Sequence, residues 1–525
     1  MHTPVLLFGV LVAVGLLLIL AYRTRIPYPI VLVAGSVGLG FLPATPDVQV
    51  DPDVIIVGVL PPLLYAAAFF SNVHEMKDNL RPIGLLAIGL VLFTTAAVGV
   101  VAHEVIGLSW PVAFTLGAIV SPTDAVSATA IAGRLGASRR YVTIVEGESL
   151  VNDATALIAY KFAVAAVVTG TFSLVDAAGS FVLEAAAGVA VGLVAGVVIR
   201  YVRTWIRDAP TEIVITLMTP YLAYLPAEAL DVSAVLAAVT AGIYLGWFAP
   251  HITDAETRLQ SFAVWETVVF LLNSFLFVLV GLQLPGVIDN ISSVAATTLL
   301  RDGVLVALTV IVVRFLWVFP AMWAPRRDEH GGWNRAHPDR TRSVVLIGWT
   351  GMRGALSLAA ALAIPLTVDG GGAFPERDLV IFLVYAVILV TLLGQGLALP
   401  RLIRWAGVGD GDVIARQEAK ARRRAAEIAI ARIDELIDED WVRPETARRM
   451  RSLYEFRVRR FDAQLDREDD GEIEEGSLAF QRLRKEVLDA EREEIVRLRN
   501  DGEIDDDTMH RIEHDLDLED VRLEI

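Results

Sequence analysis

Residues 145–169 read VEGESLVNDATALIAYKFAVAAVVT, an apolar block that is long enough to cross a bilayer and yet holds several acidic side chains. A bilayer core about 30 Å thick requires roughly 20 apolar residues in a helix. Asp153 lies about nine residues beyond Ile144, which at ~1.5 Å per residue places it near the middle of the membrane. A charged group costs about 2.5–3.5 kcal/mol at that depth, so we expect Asp153 to have a function.

Blocks of similar length and hydropathy fill the chain as far as residue 405. Mean hydropathy is +0.54, which excludes an ordinary soluble protein of 525 residues. We predict an all-α polytopic membrane protein with about 13 transmembrane helices. Their expected ranges are 4–21, 29–45, 53–71, 82–101, 111–133, 145–169, 179–200, 211–228, 232–249, 264–284, 301–323, 344–366 and 378–401. The first block lacks a basic leader and a small-residue cleavage site, so we interpret it as a spanning helix rather than a signal peptide.

The charged residues are concentrated in the last quarter of the chain. Of the 62 acidic and 45 basic residues, 35 and 23 lie after Arg401. The sequence therefore predicts a transmembrane domain over 1–405 and an acidic, helical C-terminal domain over 406–525. Acidic runs at 466–475 and 501–507 are expected to link amphipathic helices. We expect these helices to pack on themselves or on a second copy of the chain, with a regulatory sensor as the alternative.

Composition excludes several kinds of site and partner. Because the chain has no cysteine, it has no disulfide, thiolate metal site or cysteine nucleophile. The net charge of −17 argues against a nucleic-acid partner, which would require a basic surface. None of the eight histidines falls within a predicted span, which removes the base that a serine-type intramembrane hydrolase would need. We therefore expect a transporter rather than an enzyme.

The distribution of basic residues predicts the orientation of the chain. Loops after odd-numbered spans carry arginine and lysine, among them Arg139, Arg140 and Arg203, whereas loops after even-numbered spans are nearly free of both. Basic residues in short loops stay in the cytoplasm. We therefore expect a multi-pass protein of the plasma (inner) membrane, with its N-terminus outside and its C-terminal domain in the cytoplasm.

Two predicted spans are interrupted at their centres. Pro122 in the fifth span removes a backbone donor and clashes with the preceding turn, so the helix must open between Ser121 and Asp124. The twelfth span has a similar break around Gly351 and Gly354. Backbone groups freed inside a membrane must meet protein, water or an ion. Two broken, crossing helices at corresponding places in the two halves of a chain indicate an ion site in a transporter built from inverted repeats.

Polar side chains of the sixth span are expected to face these breaks. Helical spacing places Glu148, Ser149 and Asn152 on one face, with Asp153 at its edge. A serine or an asparagine would form a purely structural hydrogen bond at lower cost than a buried carboxylate. A functional role is therefore favoured for Asp153.

Structural roles stay open for the remaining charges within the spans. Asp124 can cap backbone amides that the fifth-span break sets free. Glu148 can form a neutralising ion pair with Arg314 of the eleventh span or with Arg353 of the twelfth. Arg353 can instead compensate the C-terminal ends of the half-helices, where carbonyl groups are unpaired.

Three motifs occur in order along the chain: SPTDAV at 121–126, EGESLVND at 146–153 and GMRGALSL at 351–358, preceded by LPPLLY at 60–65. Together they resemble the monovalent cation/proton antiporter-1 family, the bacterial sodium/proton antiporters of the NhaP/NHE type. The resemblance covers most of residues 1–405 and does not extend to the C-terminal domain. It implies a homodimer that transports monovalent cations and protons.

The resemblance also implies roles for the residues that match the motifs. Asp153 would bind the ion, and Asn152 would precede it as in the family. Thr123, Asp124 and Ser149 would belong to the same ion- and proton-binding site. Na⁺ would then be bound at Asp153, Thr123 and Ser149, and no cofactor would be needed.

A buried ion pair and a charge stoichiometry follow from the same resemblance. The family's intramembrane glutamate–arginine pair falls on Glu148 and, in preference to Arg353, on Arg314. Members that carry Asn-Asp in place of Asp-Asp are associated with electroneutral exchange, and this chain carries Asn152 before its aspartate. One departure concerns span three, where some members place an acidic residue after the PPLL sequence, whereas here Tyr65, Ala66 and Ala67 follow. A site that used that carboxylate must be completed differently.

The activity expected from these observations is exchange of Na⁺ (or Li⁺) for H⁺ at 1:1, by alternating access at Asp153. The aspartate would bind either one proton or one cation, and Asn152 would donate a hydrogen bond to it without adding a titrating group. Oxygen ligands of this kind suit hard cations. A K⁺/H⁺ antiporter on the same scaffold is the alternative, and a cation channel is less favoured. A role in pH homeostasis would follow, with the lipid bilayer and a second copy of the chain as the other partners.

Overall fold

The computed structural model describes residues 2–24, 26–42, 53–134, 137–171, 173–206, 208–291, 294–323, 338–369, 371–407, 411–465 and 472–523. The chain divides into two compact units, Met1–Gly409 and Asp410–Ile525. Helices dominate both units, and the one β-bridge among the described residues joins Thr367 and Ala373. The all-α class predicted from the sequence is confirmed.

The first half of the membrane unit contains ten helices among its described residues. They are α1 (His2–Thr24), α2 (Tyr28–Gly40), α3 (Leu60–Phe69), α4 (Val73–Asp78), α5 (Leu80–Gly84), α6 (Val91–Val101), α7 (Trp110–Val120), α8 (Ala125–Arg134), α9 (Arg139–Thr169) and α10 (Leu174–Arg203). Short π-helical stretches, in which each turn is one residue wider than in an α-helix, adjoin three of them. These stretches are Val54–Val59 before α3, Leu85–Leu90 between α5 and α6, and Ala102–Ile106 after α6.

The second half of this unit contains nine further helices in the described part of the chain. They are α11 (Ala209–Ala229), α12 (Ala234–Ile252), α13 (Ala255–Leu282), α14 (Leu284–Asn290), α15 (Ala296–Trp323), α16 (Pro338–Trp349), α17 (Ala355–Leu362), α18 (Arg377–Leu389) and α19 (Gly396–Ala406). A π-helical stretch, Val390–Gln395, joins the last two. Side-chain caps fix several helix starts, as where Asp254 accepts the N–H of Thr257 at 2.9 Å.

Each predicted span coincides with one of these helices or with a pair of them. Eight helical stretches of the described residues are long and apolar enough to cross a membrane, and three more are shorter. The eight are Leu80–Ile106, Trp110–Gly133, Arg139–Thr169, Ala178–Arg203, Ala234–Ile252, Ala255–Asp289, Ala296–Met322 and Arg377–Ala406. The shorter ones are Val12–Thr24, Tyr28–Gly40 and Val54–Phe69. The count of thirteen therefore stays a prediction, and residues 43–45 of the second predicted span lie outside the described residues.

Both interruptions expected in the sequence are present. The fifth predicted span is divided into α7 and α8, with Ser121 to Asp124 between them. The twelfth is divided into α16 and α17, with Thr350 to Gly354 between them. Proline explains the first break, and a run containing two glycines explains the second, because glycine weakens a helix more than any residue except proline.

A large apolar core holds these breaks in place. Its members include Leu32 of α2, Leu116 of α7, Val278 of α13 and Leu383 of α18, all fully buried. Leu358 of α17 belongs to the same cluster, so both broken helices pack against unbroken ones. Helices in a bilayer associate through this kind of close van der Waals packing, since lipid is as apolar as the side chains. The polar segments at the breaks are therefore held by a rigid apolar frame.

The second unit is a set of four amphipathic helices arranged as two hairpins. They are α20 (Gly411–Leu436), α21 (Pro444–Leu465), α22 (Glu472–Asn500) and α23 (Asp506–Leu523). Ion pairs link neighbouring helices, for example Arg423 with Asp462 at 3.1 Å and Arg492 with Asp517 at 2.8 Å. The acidic run 501–507 forms the turn between α22 and the start of α23. Residues 466–471 of the other expected linker lie outside the described residues.

Candidate ion-binding site

The two helix breaks contact each other directly through their backbones. The backbone N–H of Asp124, at the end of the first break, donates to the carbonyl oxygen of Met352 in the second at 2.8 Å. In the opposite direction, Nε of Arg353 donates to the carbonyl oxygen of Val120, the last residue of α7, at 2.9 Å. Backbone groups that each break removes from its own helix are thus satisfied by the other break, as they must be away from water.

Two charged side chains compensate the ends of the half-helices. The Arg353 guanidinium, besides its bond to Val120, donates to the carbonyl oxygen of Gly351. The Asp124 carboxylate accepts the N–H of Val126 at 2.9 Å and the hydroxyl of Ser127 at 3.0 Å, in the first turn of α8. A positive charge at helix C-termini and a negative charge at an N-terminus are both favourable. The structure therefore gives Asp124 and Arg353 the capping contacts that were left open as alternatives.

Two glycines permit the crossing to be this close. A Cβ atom added to Gly354 would lie 2.4 Å from Oδ2 of Asp124, and one added to Gly351 would lie 2.4 Å from Cδ of Arg314. Both neighbours are fixed by their own hydrogen bonds, so neither can easily move. The space available at the crossing therefore requires glycine at both positions.

Glu148 and Arg314 form a buried ion pair beside the crossing. Nη2 of Arg314 donates to Oε2 of Glu148 at 2.9 Å, and Nη1 donates to Oε1. The arginine also donates to the carbonyl oxygen of Ile347 at 3.1 Å, near the end of α16. Both side chains are at most 1% exposed. Of the two arginines considered for this pairing, Arg314 is the one that contacts the glutamate.

Thr123 connects this ion pair to the Asn-Asp motif. Its hydroxyl donates to Oε1 of Glu148 at 2.9 Å. Nδ2 of Asn152 donates to that hydroxyl at 2.9 Å and to the Thr123 carbonyl oxygen at 3.3 Å. The expectation that Asn152 donates to Asp153 is therefore wrong. Successive residues of a helix point about 100° apart, so the asparagine contacts Thr123 directly while the aspartate points into the cavity beside the break.

Asp153 faces a cavity of about 110 Å³ between α3, α9, α13, α17 and the first break. Pro122, Thr123, Asp124 and Ser149 line the same cavity. Ser149 also accepts the backbone N–H of Ala125 at 3.4 Å, so its hydroxyl lies beside the start of α8. Asp153 is 9% exposed, and in the described part of the chain no hydrogen bond reaches its carboxylate. Of Asp124, Glu148 and Asp153, it is thus the one whose carboxylate has no partner among the described residues.

The arrangement has a simple charge balance. Three carboxylates, those of Asp124, Glu148 and Asp153, meet two guanidiniums, those of Arg314 and Arg353. When these five groups are all ionised, one negative charge is in excess, and we assign it to Asp153, whose carboxylate has no hydrogen bond among the described residues; Glu146, which also lines the cavity, is not part of this count. A single proton or a single monovalent cation neutralises it. Oxygen atoms of carboxylate, hydroxyl and backbone carbonyl groups suit a hard cation.

Three residues that line the cavity were missed in the sequence: Glu146 of α9, Asn273 of α13 and Ser357 of α17. Glu146 lies seven residues before Asp153, which is two helical turns and therefore the same face. That spacing was visible in the sequence. Asn273 lies in an otherwise ordinary apolar span, so nothing local marked it, and Ser357 lies within the motif GMRGALSL, where the charge and the glycines drew attention instead.

No resident multivalent metal site accompanies the cavity in the described part of the chain, where no three His, Asp or Glu side chains cluster as ligands. The expectation that the protein needs no cofactor stays a prediction.

Fold and site together define a class: a polytopic secondary transporter whose ion site lies at two crossing broken helices. The family described as sodium/hydrogen exchanger, transmembrane, matches residues 9–405, and the chain belongs to this family. It is a multi-pass membrane protein that exchanges Na⁺ for H⁺, a transporter and not an enzyme. The family and the exchange of Na⁺ for H⁺ predicted from the sequence are confirmed, whereas the 1:1 stoichiometry and the mechanism at Asp153 stay predictions.

Relatives from several bacteria support this assignment. An uncharacterized Na⁺/H⁺ exchanger of Mycobacterium bovis is 35% identical, over 99% of this chain and 97% of the relative. The Na⁺/H⁺ antiporter ApNhaP of Aphanothece halophytica is 33% identical, over 82% of this chain and 79% of the relative. A sodium, potassium, lithium and rubidium/H⁺ antiporter of Bacillus pumilus is 36% identical, over 72% of this chain and 58% of the relative.

The fold is also that of a solved structure. The sodium proton antiporter MjNhaP1 from Methanocaldococcus jannaschii superposes with a TM-score of 0.63, covering 77% of this chain and 99% of that one. The two sequences are 18% identical, so this likeness concerns the fold. The predicted antiporter architecture is thereby confirmed for most of the membrane unit.

Proposed function

We propose that Asp153 is the carrier of this exchanger and binds either one proton or one Na⁺ or Li⁺ ion. The observation that supports this most is its position: it lines the cavity at the crossing, and no hydrogen bond or ion pair from the described residues engages its carboxylate. The two other acids of the crossing are each committed, Glu148 to Arg314 and Asp124 to the start of α8. Of these three acids, Asp153 is the one left to meet a transported ion, and Glu146, which also lines the cavity, lies two helical turns away.

Thr123, Ser149 and a backbone carbonyl freed by Pro122 are the proposed partners of the bound cation. Thr123 and Ser149 both line the cavity and offer hydroxyl oxygens to it. Asn152 acts indirectly, since its amide holds Thr123 by two hydrogen bonds and so fixes the shape of the first break. We assign it a positioning role rather than contact with the ion.

Exchange becomes obligatory because the two ions compete for one charge. An ionised carboxylate inside the membrane that binds neither a proton nor a cation is energetically unfavourable. Reorientation is therefore expected only when one of the two is bound. The two arginines leave one excess negative charge in the crossing, and a single monovalent ion neutralises it. We therefore propose a 1:1, electroneutral exchange whose rate does not depend on the membrane potential.

Alternating access is proposed as movement of the half of the protein that contains the crossing relative to the remaining helices. The ion pair and the capping contacts would move as one body, because they connect α8, α9, α15 and α16 to each other and the second break to α7. A location in the plasma membrane, an N-terminus outside, a cytoplasmic C-terminal unit, a homodimer and a role in pH homeostasis are part of the same proposal.

Potassium is the second candidate substrate. The Bacillus pumilus relative is named for sodium, potassium, lithium and rubidium, and a relative from Bacillus subtilis carries the same name at 34% identity. The chain matches 58% of the length of each of these two. A K⁺/H⁺ exchange would use the same carboxylate and the same competition, with a looser ligand shell.

Reconstituted proteoliposomes with a trapped pH dye test the proposal. Addition of Na⁺ or Li⁺ is expected to move protons, whereas Asp153→Asn is expected to move none although the protein inserts. Asp78→Asn, which neutralises an exposed carboxylate in α4, serves as the matched control and should retain the wild-type rate. Exchange that persists in Asp153→Asn would contradict the assignment, and a rate that follows an imposed membrane potential would contradict the stoichiometry.

A further inference from the structure

Helix α3 contributes only apolar side chains to the wall of the cavity. The α3 residues that line it are Leu60, Leu63, Leu64 and Ala67. Charged and hydroxyl groups come from α9 and from the first helix break. Any further ligand for a cation beside Asp153 must therefore come from α13 or α17, the other two helices that enclose the space.

Asn273 of α13 is an unpaired polar group on that side. Its side chain lines the cavity and is 4% exposed, and no described residue hydrogen-bonds its Nδ2. Buried amides are almost always paired, because an unsatisfied polar group away from water is unfavourable. The amide can also turn about its last torsion and present Oδ1 in place of Nδ2. The unpaired position thus indicates a ligand in the cavity.

Ser357 of α17 is a second such group. It lines the cavity, is 1% exposed, and its hydroxyl has no hydrogen-bond partner among the described residues. A serine within a helix usually donates to the carbonyl one turn earlier. The residue one turn before Ser357 is Arg353, which belongs to the non-helical break, so that arrangement is disrupted here.

Ser274 shows that burial alone does not make such a site. It follows Asn273 on the same helix, is fully buried, and also has no partner for its hydroxyl among the described residues. It does not line the cavity. Asn273 and Ser357 therefore differ from Ser274 in that they line the cavity that Asp153 faces. Ser274 is a matched control.

We propose that Asn273 and Ser357 are the neutral, selectivity-determining ligands of the cation site, completing with α13 and α17 the shell that Asp153 begins on α9. The inference rests on the proposed function of Asp153. An amide oxygen and a hydroxyl oxygen suit a hard monovalent cation. Because both groups are uncharged, they set which cation fits without changing the number of charges exchanged. A proton bound to Asp153 needs neither of them.

Cation-dependent proton movement in proteoliposomes tests this with Na⁺, Li⁺ and K⁺ in turn. Asn273→Leu, which has a similar volume and no polar atom, is expected to raise the KM for Na⁺ about tenfold, as loss of one good ligand would. Ser357→Ala is expected to raise it about threefold. Both variants should change the ratio of Na⁺ to Li⁺ to K⁺ and leave the maximal rate within about twofold of wild type. Ser274→Ala should change neither quantity.

Asn273→Asp separates the loss of a ligand from a loss of folding, because this variant is expected to bind Na⁺ more tightly than wild type. The added carboxylate is expected to lower the KM for Na⁺ several-fold at alkaline pH, which a misfolded protein cannot do. The inference is overturned if Asn273→Leu and Ser357→Ala keep the wild-type KM and ion ratios while wild type exchanges normally. Failure of the proposed function would look different, since then Asp153→Asn would still exchange, or wild type would not.

Discussion

The membrane unit and the C-terminal unit both contain Arg–Glu pairs with similar N–O distances, but the surroundings make the contributions of these pairs to stability different. Arg314 and Glu148 are joined at 2.9 Å and are at most 1% exposed. Arg432 and Glu435 of α20 are joined at 2.7 Å, with side chains 65% and 64% exposed. In the first pair each charge depends on its partner, whereas water solvates each charge of the second. The comparison shows that burial, more than the number of charges, identifies where this protein carries out its function.

Breaking the buried pair is expected to have the largest effect of any substitution considered. Arg314→Ala leaves Glu148 as an uncompensated buried charge, at a cost of about 3–5 kcal/mol. It also removes the donors to the Ile347 carbonyl oxygen. We expect the purified protein to lose most of its thermal stability and all exchange. The double variant Glu148→Gln with Arg314→Met should recover part of the stability, because removing both charges costs less than removing one. A double variant no more stable than Arg314→Ala would show that the charges are not the cause.

Filling the crossing is expected to have the next largest effect. Gly354→Ala places a methyl group against the Asp124 carboxylate, which is held by its bonds to α8. We expect the exchange rate to fall more than about tenfold, since a displacement of functional groups by about 1 Å can lower a rate about a hundredfold. Gly394→Ala is the control, because a Cβ atom there meets open space. Equal rates for the two variants would contradict the idea that exchange depends on the close contact between Gly354 and Asp124.

A smaller effect is expected from the cavity carboxylate that was missed in the sequence. Glu146 lines the cavity two turns before Asp153, and removal of its charge makes the cavity less attractive to cations. Glu146→Gln is expected to raise the KM for Na⁺ by about threefold, with the 1:1 stoichiometry unchanged. Asp78→Asn again serves as the control for a general surface-charge effect. A change in stoichiometry would make Glu146 a second carrier and would overturn the charge balance proposed for the crossing.

The smallest effect is expected in the C-terminal unit. Arg432→Ala removes an exposed pair, and exposed ion pairs are often without measurable influence. We expect the melting temperature and the exchange rate of the full chain to match wild type. A clear loss of either would mean that α20 has a role that its solvent exposure does not suggest, and the contrast with Arg314→Ala would then fail.

Much of this site could be predicted because its residues carry strong local signals. Pro122 is a helix breaker in an apolar span, and Asp153 is a charge at mid-membrane depth, so both stand out from their neighbours. Glu148 and Asp153 lie within six residues of each other, so helical spacing already separates their directions. The choice of Arg314 over Arg353 could be favoured by resemblance but is decided by contacts across more than 160 positions of sequence.

What could not be predicted depends on which spans meet. Asn273 and Ser357 join Asp153 only because α13 and α17 enclose the same cavity as α9, and no local pattern specifies that arrangement. The hydrogen bonds of Asn152 to Thr123 likewise depend on where the first break places the threonine. The number of spans was also difficult to fix, because several helices here are short, widened by π-helical stretches or divided, so hydropathy alone does not delimit them.

The number of protons released per Na⁺ bound shows whether Asp153 binds either one proton or one cation. Na⁺ is added to purified protein in weakly buffered detergent solution near neutral pH, and released protons are counted against bound Na⁺. We expect one proton to be released for each Na⁺ bound by wild type, and neither release nor binding for Asp153→Asn. Na⁺ binding without proton release, or the same release from the variant, would contradict it.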